Sequence, residues 1–178
     1  MGGELMGSAI WLFLIALAFT VVLGLIKLGF EMLEEWLTDK ADDIRLGGKG
    51  VRETYNMSGL DFEKWLERQF RNAGFTVERT PYQGDKGADL ILVEPNNGRR
   101  WVVQAKRWRR PVGIRAVQEA LAAKAYYKAH IAMVVTNSHG FTPDAQDMAK
   151  RTGVVLMSRT DLAKYVEQIN RVRGAQQR

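Results

Sequence analysis

From Ala9 to Ile26 the chain reads AIWLFLIALAFTVVLGLI, 18 positions without a charge and with Thr20 as the one clearly polar side chain. At about 1.5 Å per residue such a helix reaches about 27 Å, near the thickness of a bilayer's hydrocarbon layer. It also lacks the polar face that a helix lying on a small core would keep. The pattern predicts a membrane-spanning helix within residues 1–30. Ahead of Ala9 stand Glu4 and no Lys or Arg, which is unlike the positive leader of a secretory signal. Lys27, Lys40 and Arg45 all follow the span, so the expected topology is a single pass through the inner (cytoplasmic) membrane with the rest of the chain in the cytoplasm.

Behind the span the periodicity changes twice. Residues 31–57 read as a juxtamembrane helix that gives way to a polar linker at Gly47-Gly48-Lys49-Gly50, a stretch without the spacing or the preceding strand of a phosphate loop. Residues 58–178 read as one domain. Ser58, with Asp61 three positions on, opens a helix whose apolar stripe is Phe62, Trp65, Leu66 and Phe70, and Gly74 ends it. Asp89–Glu94 and Arg100–Lys106 are short apolar runs separated by Pro95-Asn96-Asn97-Gly98, the signature of an antiparallel hairpin. Then come a helix over 113–128, a strand over 131–136, a helix over 143–151, a strand over 154–157 and a closing helix over 161–172. Strands alternating with helices predict an α/β domain with a mixed sheet covered on both faces.

Charge separates these parts. Residues 1–50 carry 4 Lys/Arg against 7 Asp/Glu, a balance of −3, whereas residues 51–178 carry 22 against 13, a balance of +9. Such a domain attracts polyanions, phosphate backbones foremost and anionic lipid headgroups by the same field. With no cysteine in the chain, disulfides, thiol nucleophiles and cysteine-ligated metals are excluded. Chemistry falls to carboxylates, amides, lysine and two histidines. His130 and His139 have no His or carboxylate partner at a metal-ligand spacing.

The informative stretch is Gly84-Asp85-Lys86-Gly87-Ala88-Asp89, a glycine-rich turn that delivers an aspartate to the start of a strand, faced across the hairpin by Gln104-Ala105-Lys106. Period-2 geometry puts Gln104 and Lys106 on one face, within reach of Asp89. The Asp89 carboxylate and the Gln104 carbonyl are oxygen donors suited to Mg²⁺, with Mn²⁺ as the alternative ion. Lys106 can orient or help deprotonate an attacking water and can stabilise a pentacovalent phosphorus. Arg107, Trp108, Arg109 and Arg110 follow directly as a phosphate-binding run with a ring to lie against sugar or base; a solvated loop is the plainer account of the same charges. Thr136 and Asn137, at a strand end, suit either substrate contact or turn capping.

These residues resemble the catalytic domain of the Mrr restriction endonuclease family, a branch of the PD-(D/E)xK nucleases in which glutamine often replaces the usual glutamate. The likeness runs from about Gly59 to Tyr165. It covers Gly59-Leu60-Asp61-Phe62-Glu63, Gly84 to Asp89, Val103-Gln104-Ala105-Lys106-Arg107, Val135-Thr136-Asn137 and Gly140-Phe141-Thr142. It implies a restriction-endonuclease-like core, a catalytic set of Asp89, Gln104 and Lys106 joined by Glu63, Mg²⁺ dependence and double-stranded DNA as substrate. Cutting both strands with one small site asks for a homodimer. Three readings stand here: a membrane-anchored endonuclease, a catalytically silent DNA-binding module on a membrane tether, and a lipid-contacting membrane protein. The first alone accounts for Asp89, Gln104 and Lys106 on paired strands; the others ask only for positive charge.

Overall fold

The computed structural model describes residues 17–34, 50–80 and 86–176, together with Trp11, Leu14 and Leu37. The chain divides into two compact units, Met1–Arg45 and Leu46–Arg178. In the first, residues 17–34 form helix α1, whose apolar side chains are exposed, Phe19, Leu25 and Phe30 among them. Lys27 Nζ lies 3.8 Å from Glu31 one turn on. Among the described residues no helix is long and apolar enough to cross a membrane. The continuous helical stretch 17–34 takes in Lys27, Glu31 and Glu34, while residues 9, 10, 12, 13, 15 and 16 of the predicted span lie outside the described residues. Of the predicted linker glycines, Gly47 and Gly48 also lie outside them, whereas Gly50 is described and its carbonyl accepts from the Glu53 N–H at 3.2 Å.

The second unit begins earlier than the hydrophobic pattern suggests. Residues 51–57, assigned from sequence to the linker, pack on the domain: Val51 and Met57 join its core, and the short 3-10 helix Glu53–Asn56 between them buries Thr54. Helix α2, Gly59–Asn72, starts where the Ser58 hydroxyl accepts from the Asp61 N–H at 3.0 Å. It ends where Gly74 takes φ +95° and the Phe75 N–H returns to the Phe70 carbonyl at 3.1 Å.

Among the described residues five strands form one sheet in the order β1-β2-β3-β4-β5. They are β1 Thr76–Arg79, β2 Leu90–Val93, β3 Arg100–Lys106, β4 Ile131–Thr136 and β5 Val155–Met157. The first two pairings are antiparallel, with Leu90 opposite Val103, and the last two are parallel. Parallel pairing needs crossovers, supplied by α3 (Ile114–Tyr126) and α4 (Pro143–Thr152), and α5 (Arg159–Gln176) closes the unit. The sheet is therefore mixed, as expected. Strand β1 is the element that apolar alternation does not announce, because Val77 is its one buried side chain.

Alternation along the strands sorts the core into two layers. Leu90, Leu92, Val103, Met133 and Val135 meet Phe62, Trp65, Leu66 and Phe70 of α2 and Leu162 of α5. Val102, Ala132 and Val134 meet Ala116, Val117, Ala120 and Ala123 of α3 and Ala145 and Ala149 of α4 on the other face. Trp65 and Phe62 are fully buried, each contributing on the order of 2 kcal/mol of apolar burial. The alanines of α3 let its backbone lie close to the sheet, which matters for the site.

Polar groups fix the ends of elements. At the hairpin tip Glu94 accepts from Trp101 Nε1 and Asn97 Nδ2, both at 2.6 Å, and these bonds hold its carboxyl below the usual value. Helix α5 begins two residues before the predicted start because Ser158 and Asp161 cap it reciprocally. The Asp161 carboxylate accepts from the Ser158 hydroxyl at 2.6 Å, the bond that lowers its pKa, and from the Ser158 N–H at 3.0 Å.

Candidate active site

Asp89 stands one residue before β2, where the β2–β3 ladder ends. Its N–H still donates to the Val103 carbonyl at 2.9 Å, but its side chain turns onto β3. There Oδ2 accepts from the Gln104 Nε2 at 2.7 Å and from the Ala105 N–H at 2.6 Å. The two residues that sequence pairs across the hairpin are thus in direct contact. Donating its amide N–H to the carboxylate orients the rest of Gln104: its carbonyl Oε1 is buried with no hydrogen-bond partner among the described residues, in a residue only 4% exposed. A buried acceptor left unsatisfied costs on the order of 1–3 kcal/mol, so it marks a place where an external electrophile would be welcome.

Lys106 lies on the same face as Gln104, as the period of two requires, while Val103 and Ala105 face the α2 layer. Its Nζ forms an ion pair with Glu119 Oε2 at 2.8 Å, and it is 21% exposed. Glu119 belongs to α3, and its other oxygen lies 3.6 Å from Nε of the exposed Arg115. Sequence reading passes over Glu119, although one signal was present: it is the single carboxylate between Glu94 and Asp144. The turn that carries Asp89 rests on the same helix. Gly87 has φ +86°, and a Cβ there would stand 2.6 Å from the Glu119 carbonyl oxygen. Lys86 beside it also adopts a left-handed backbone, φ +53°.

The basic run leaves β3 on this side of the fold. Arg107, Trp108, Arg109 and Arg110 line an open cavity of about 420 Å³, and Trp108 is 49% exposed between its arginines. The loop is held from beneath by Asn137, which is buried. Its Oδ1 accepts from the Trp108 N–H and its Nδ2 donates to the Thr54 carbonyl, each at 3.0 Å. Of the two roles open to Asn137, the structure favours the architectural one. Thr136 likewise donates its hydroxyl to the Lys106 carbonyl at 2.6 Å. Nearby, Arg159 stacks over the Tyr55 ring at 4.4 Å and donates to its hydroxyl at 2.9 Å, while His139 Nε2 lies 3.3 Å from the same hydroxyl.

Asp89, Gln104 and Lys106 are thus brought to one face beside the basic loop. Glu63 stands on α2, in the layer that covers the opposite face, and is half-buried there. Among the described residues no three His, Cys, Asp or Glu side chains gather to hold a metal ion. A cation would have to draw on the amide oxygen as well as the carboxylate, and the unsatisfied Gln104 Oε1 fits that requirement.

An α/β core with a carboxylate, an amide and a lysine at the end of its central hairpin defines a restriction-endonuclease-like nuclease domain. The restriction endonuclease family Mrr_cat matches residues 54–166, and the chain belongs to it. Among solved structures, the DNA modification-dependent restriction endonuclease AspBHI is 18% identical with a TM-score of 0.55, over 74% of this chain and 35% of that one. The MspJI restriction endonuclease, solved in complex with a 27-mer oligonucleotide, is 21% identical with a TM-score of 0.48, over 70% and 31%. A repair endonuclease from Pyrococcus abyssi is 17% identical with a TM-score of 0.43, over 57% and 46%. At 18% identity the likeness to AspBHI is one of fold, and the chain spans about a third of the length of AspBHI and of MspJI. No curated protein matches the chain.

Proposed function

We propose that the chain hydrolyses phosphodiester bonds of double-stranded DNA as an endonuclease dependent on Mg²⁺, with Mn²⁺ as an alternative ion. The observation that carries this reading is the contact of Asp89 with Gln104, which leaves a buried carbonyl oxygen unsatisfied on the face that bears Lys106. Asp89 and Gln104 would hold the ion, which when bound lowers the pKa of an attacking water and neutralises charge on the phosphoryl oxygens. Lys106 presents an ammonium group to the oxygens whose charge grows as the bond breaks. Arg107, Arg109 and Arg110 grip flanking phosphates without reading bases, and Trp108 lies against a sugar or base. Two copies of the chain would act together to cut both strands.

The test is incubation of the purified full-length chain with supercoiled plasmid, with and without Mg²⁺. Nicked or linear product should appear with the ion, and Asp89→Ala should leave the plasmid supercoiled. Cleavage by Asp89→Ala at the wild-type rate would remove the site proposed here.

We further propose that the apolar N-terminal segment attaches the nuclease to the inner membrane, with the domain in the cytoplasm, where incoming foreign DNA would be met first. Support comes from the uncharged run Ala9–Ile26 and from apolar side chains exposed along α1. Alkaline carbonate should leave the full chain in the membrane pellet; release into the supernatant would dispose of the anchor but not of the nuclease.

A further inference from the structure

We propose that Glu119 is a further ligand-bearing residue of the active centre, a carboxylate from α3 that gives the cation the negative charge Gln104 cannot. This rests on the metal-dependent reading above and adds to it a residue outside the hairpin.

Charge poses the problem. Asp89 and Gln104 together offer one negative charge to a divalent ion, and hard cations of this kind are held mainly by carboxylate oxygens. Glu119 is placed at the centre by two independent contacts. Its backbone carbonyl closes against Gly87, two residues before Asp89, so close that no side chain fits between them. Its carboxylate meets Lys106 Nζ at 2.8 Å. Along β3, Lys106 and Gln104 are two residues apart on one face, about 6.5 Å at the rise of a strand. Glu119 therefore has the aspartate turn against its backbone and the lysine against its carboxylate. The buried, unpartnered Gln104 Oε1 lies one strand step beyond that lysine.

The carboxylate is also free to exchange partners. It is 34% exposed, and among the described residues its second oxygen meets only the 90% exposed Arg115, at 3.6 Å, a pairing of little energetic weight. Without the ion, Glu119 and Lys106 neutralise each other. With the ion bound, Glu119 would serve as a ligand and Lys106 would be left to pair with phosphate. Ion binding and release of the ammonium would then be linked, each favouring the other.

Calorimetric titration of the full-length chain with Mn²⁺, in the absence of DNA, tests this without any measure of activity. Glu119→Gln, which keeps shape and removes charge, should weaken Mn²⁺ binding by at least about 10-fold, whereas Arg115→Ala should leave it unchanged. Lys106→Met should tighten binding, and by less in the Glu119→Gln background, since the lysine then has no ligand to withhold. Glu119→Gln binding Mn²⁺ as tightly as wild type overturns the proposal while leaving the nuclease reading intact. Should wild type and Asp89→Ala bind equally poorly, the metal-dependent reading falls and this inference with it. Thermal melts of each variant without metal separate a lost ligand from a lost fold: reduced affinity with an unchanged melt supports the ligand, and reduced affinity that tracks a lowered melt overturns it.

Discussion

Lys106→Ala should reduce the cleavage rate by about 10²–10³-fold, the loss that follows removal of one preorganised charge from a developing phosphoryl oxyanion. Affinity for DNA should change by a few-fold at most, because Arg107, Arg109 and Arg110 line the neighbouring cavity and do not depend on Lys106 for their placement. Asn137 holds their loop by the Trp108 N–H instead. The opposite result is expected for the double variant Arg109→Ala/Arg110→Ala. Its binding should weaken, and the slope of log affinity against log salt should fall by about 1 for each phosphate contact removed. Cleavage at saturating DNA should survive. Filter binding across a salt series, set beside single-turnover cleavage, checks both variants. If Lys106→Ala and the arginine pair lose binding and rate in the same proportion, the lysine is another phosphate contact and has no part in the chemistry. The catalytically silent DNA-binding module makes a different prediction: no variant changes a rate, because there is none to change.

How far this division of labour was legible in the sequence depends on the range of the interactions that produce it. Gln104 and Lys106 share a face because a strand has a period of two, and Asp89 meets them because Asn97-Gly98 closes the hairpin; both facts are local and both could be read. The order of helices and strands after Pro111 was legible for the same reason, with each apolar run long enough to declare its period. Strand β1 was not, since an edge strand buries one residue in four and needs no alternation. The early start of the domain was also hidden. Val51 and Met57 are single apolar residues in a polar stretch, and only the core they reach shows that they belong to it. Asn137 read equally well as a substrate contact or a cap, because its partners, Trp108 and Thr54, lie 29 and 83 residues away. Glu119 is the hardest case. On α3 it reads as an ordinary solvated carboxylate, and its meaning comes from the crossover that lays the helix against β3.

That same close approach sets the second large effect, at Gly87. Two glycines in left-handed conformation offer a controlled comparison: Gly74 at φ +95° has nothing within 4 Å of a would-be Cβ, whereas Gly87 at φ +86° would drive one to 2.6 Å from the Glu119 carbonyl oxygen and 3.0 Å from its carbon. Alanine at Gly74 pays backbone strain alone, about 1–2 kcal/mol. Alanine at Gly87 pays that and must also displace either the turn or α3, because the obstacle is backbone and cannot rotate aside. Expected destabilisation is about 2–4 kcal/mol, within the range for overpacking added to strain. The functional loss should exceed what stability explains. Moving the turn away from α3 shifts Asp89 relative to Glu119 and Lys106, and catalytic geometry tolerates displacements of only about 0.5 Å. Gly87→Ala should therefore lose cleavage by about 10²-fold under conditions where it remains folded, while Gly74→Ala cleaves as wild type does. Denaturant melts and cleavage rates, measured on the same preparations, decide the matter. Equal activity in the two variants would mean that the contact between the aspartate turn and α3 is packing alone, with no part in holding the site together.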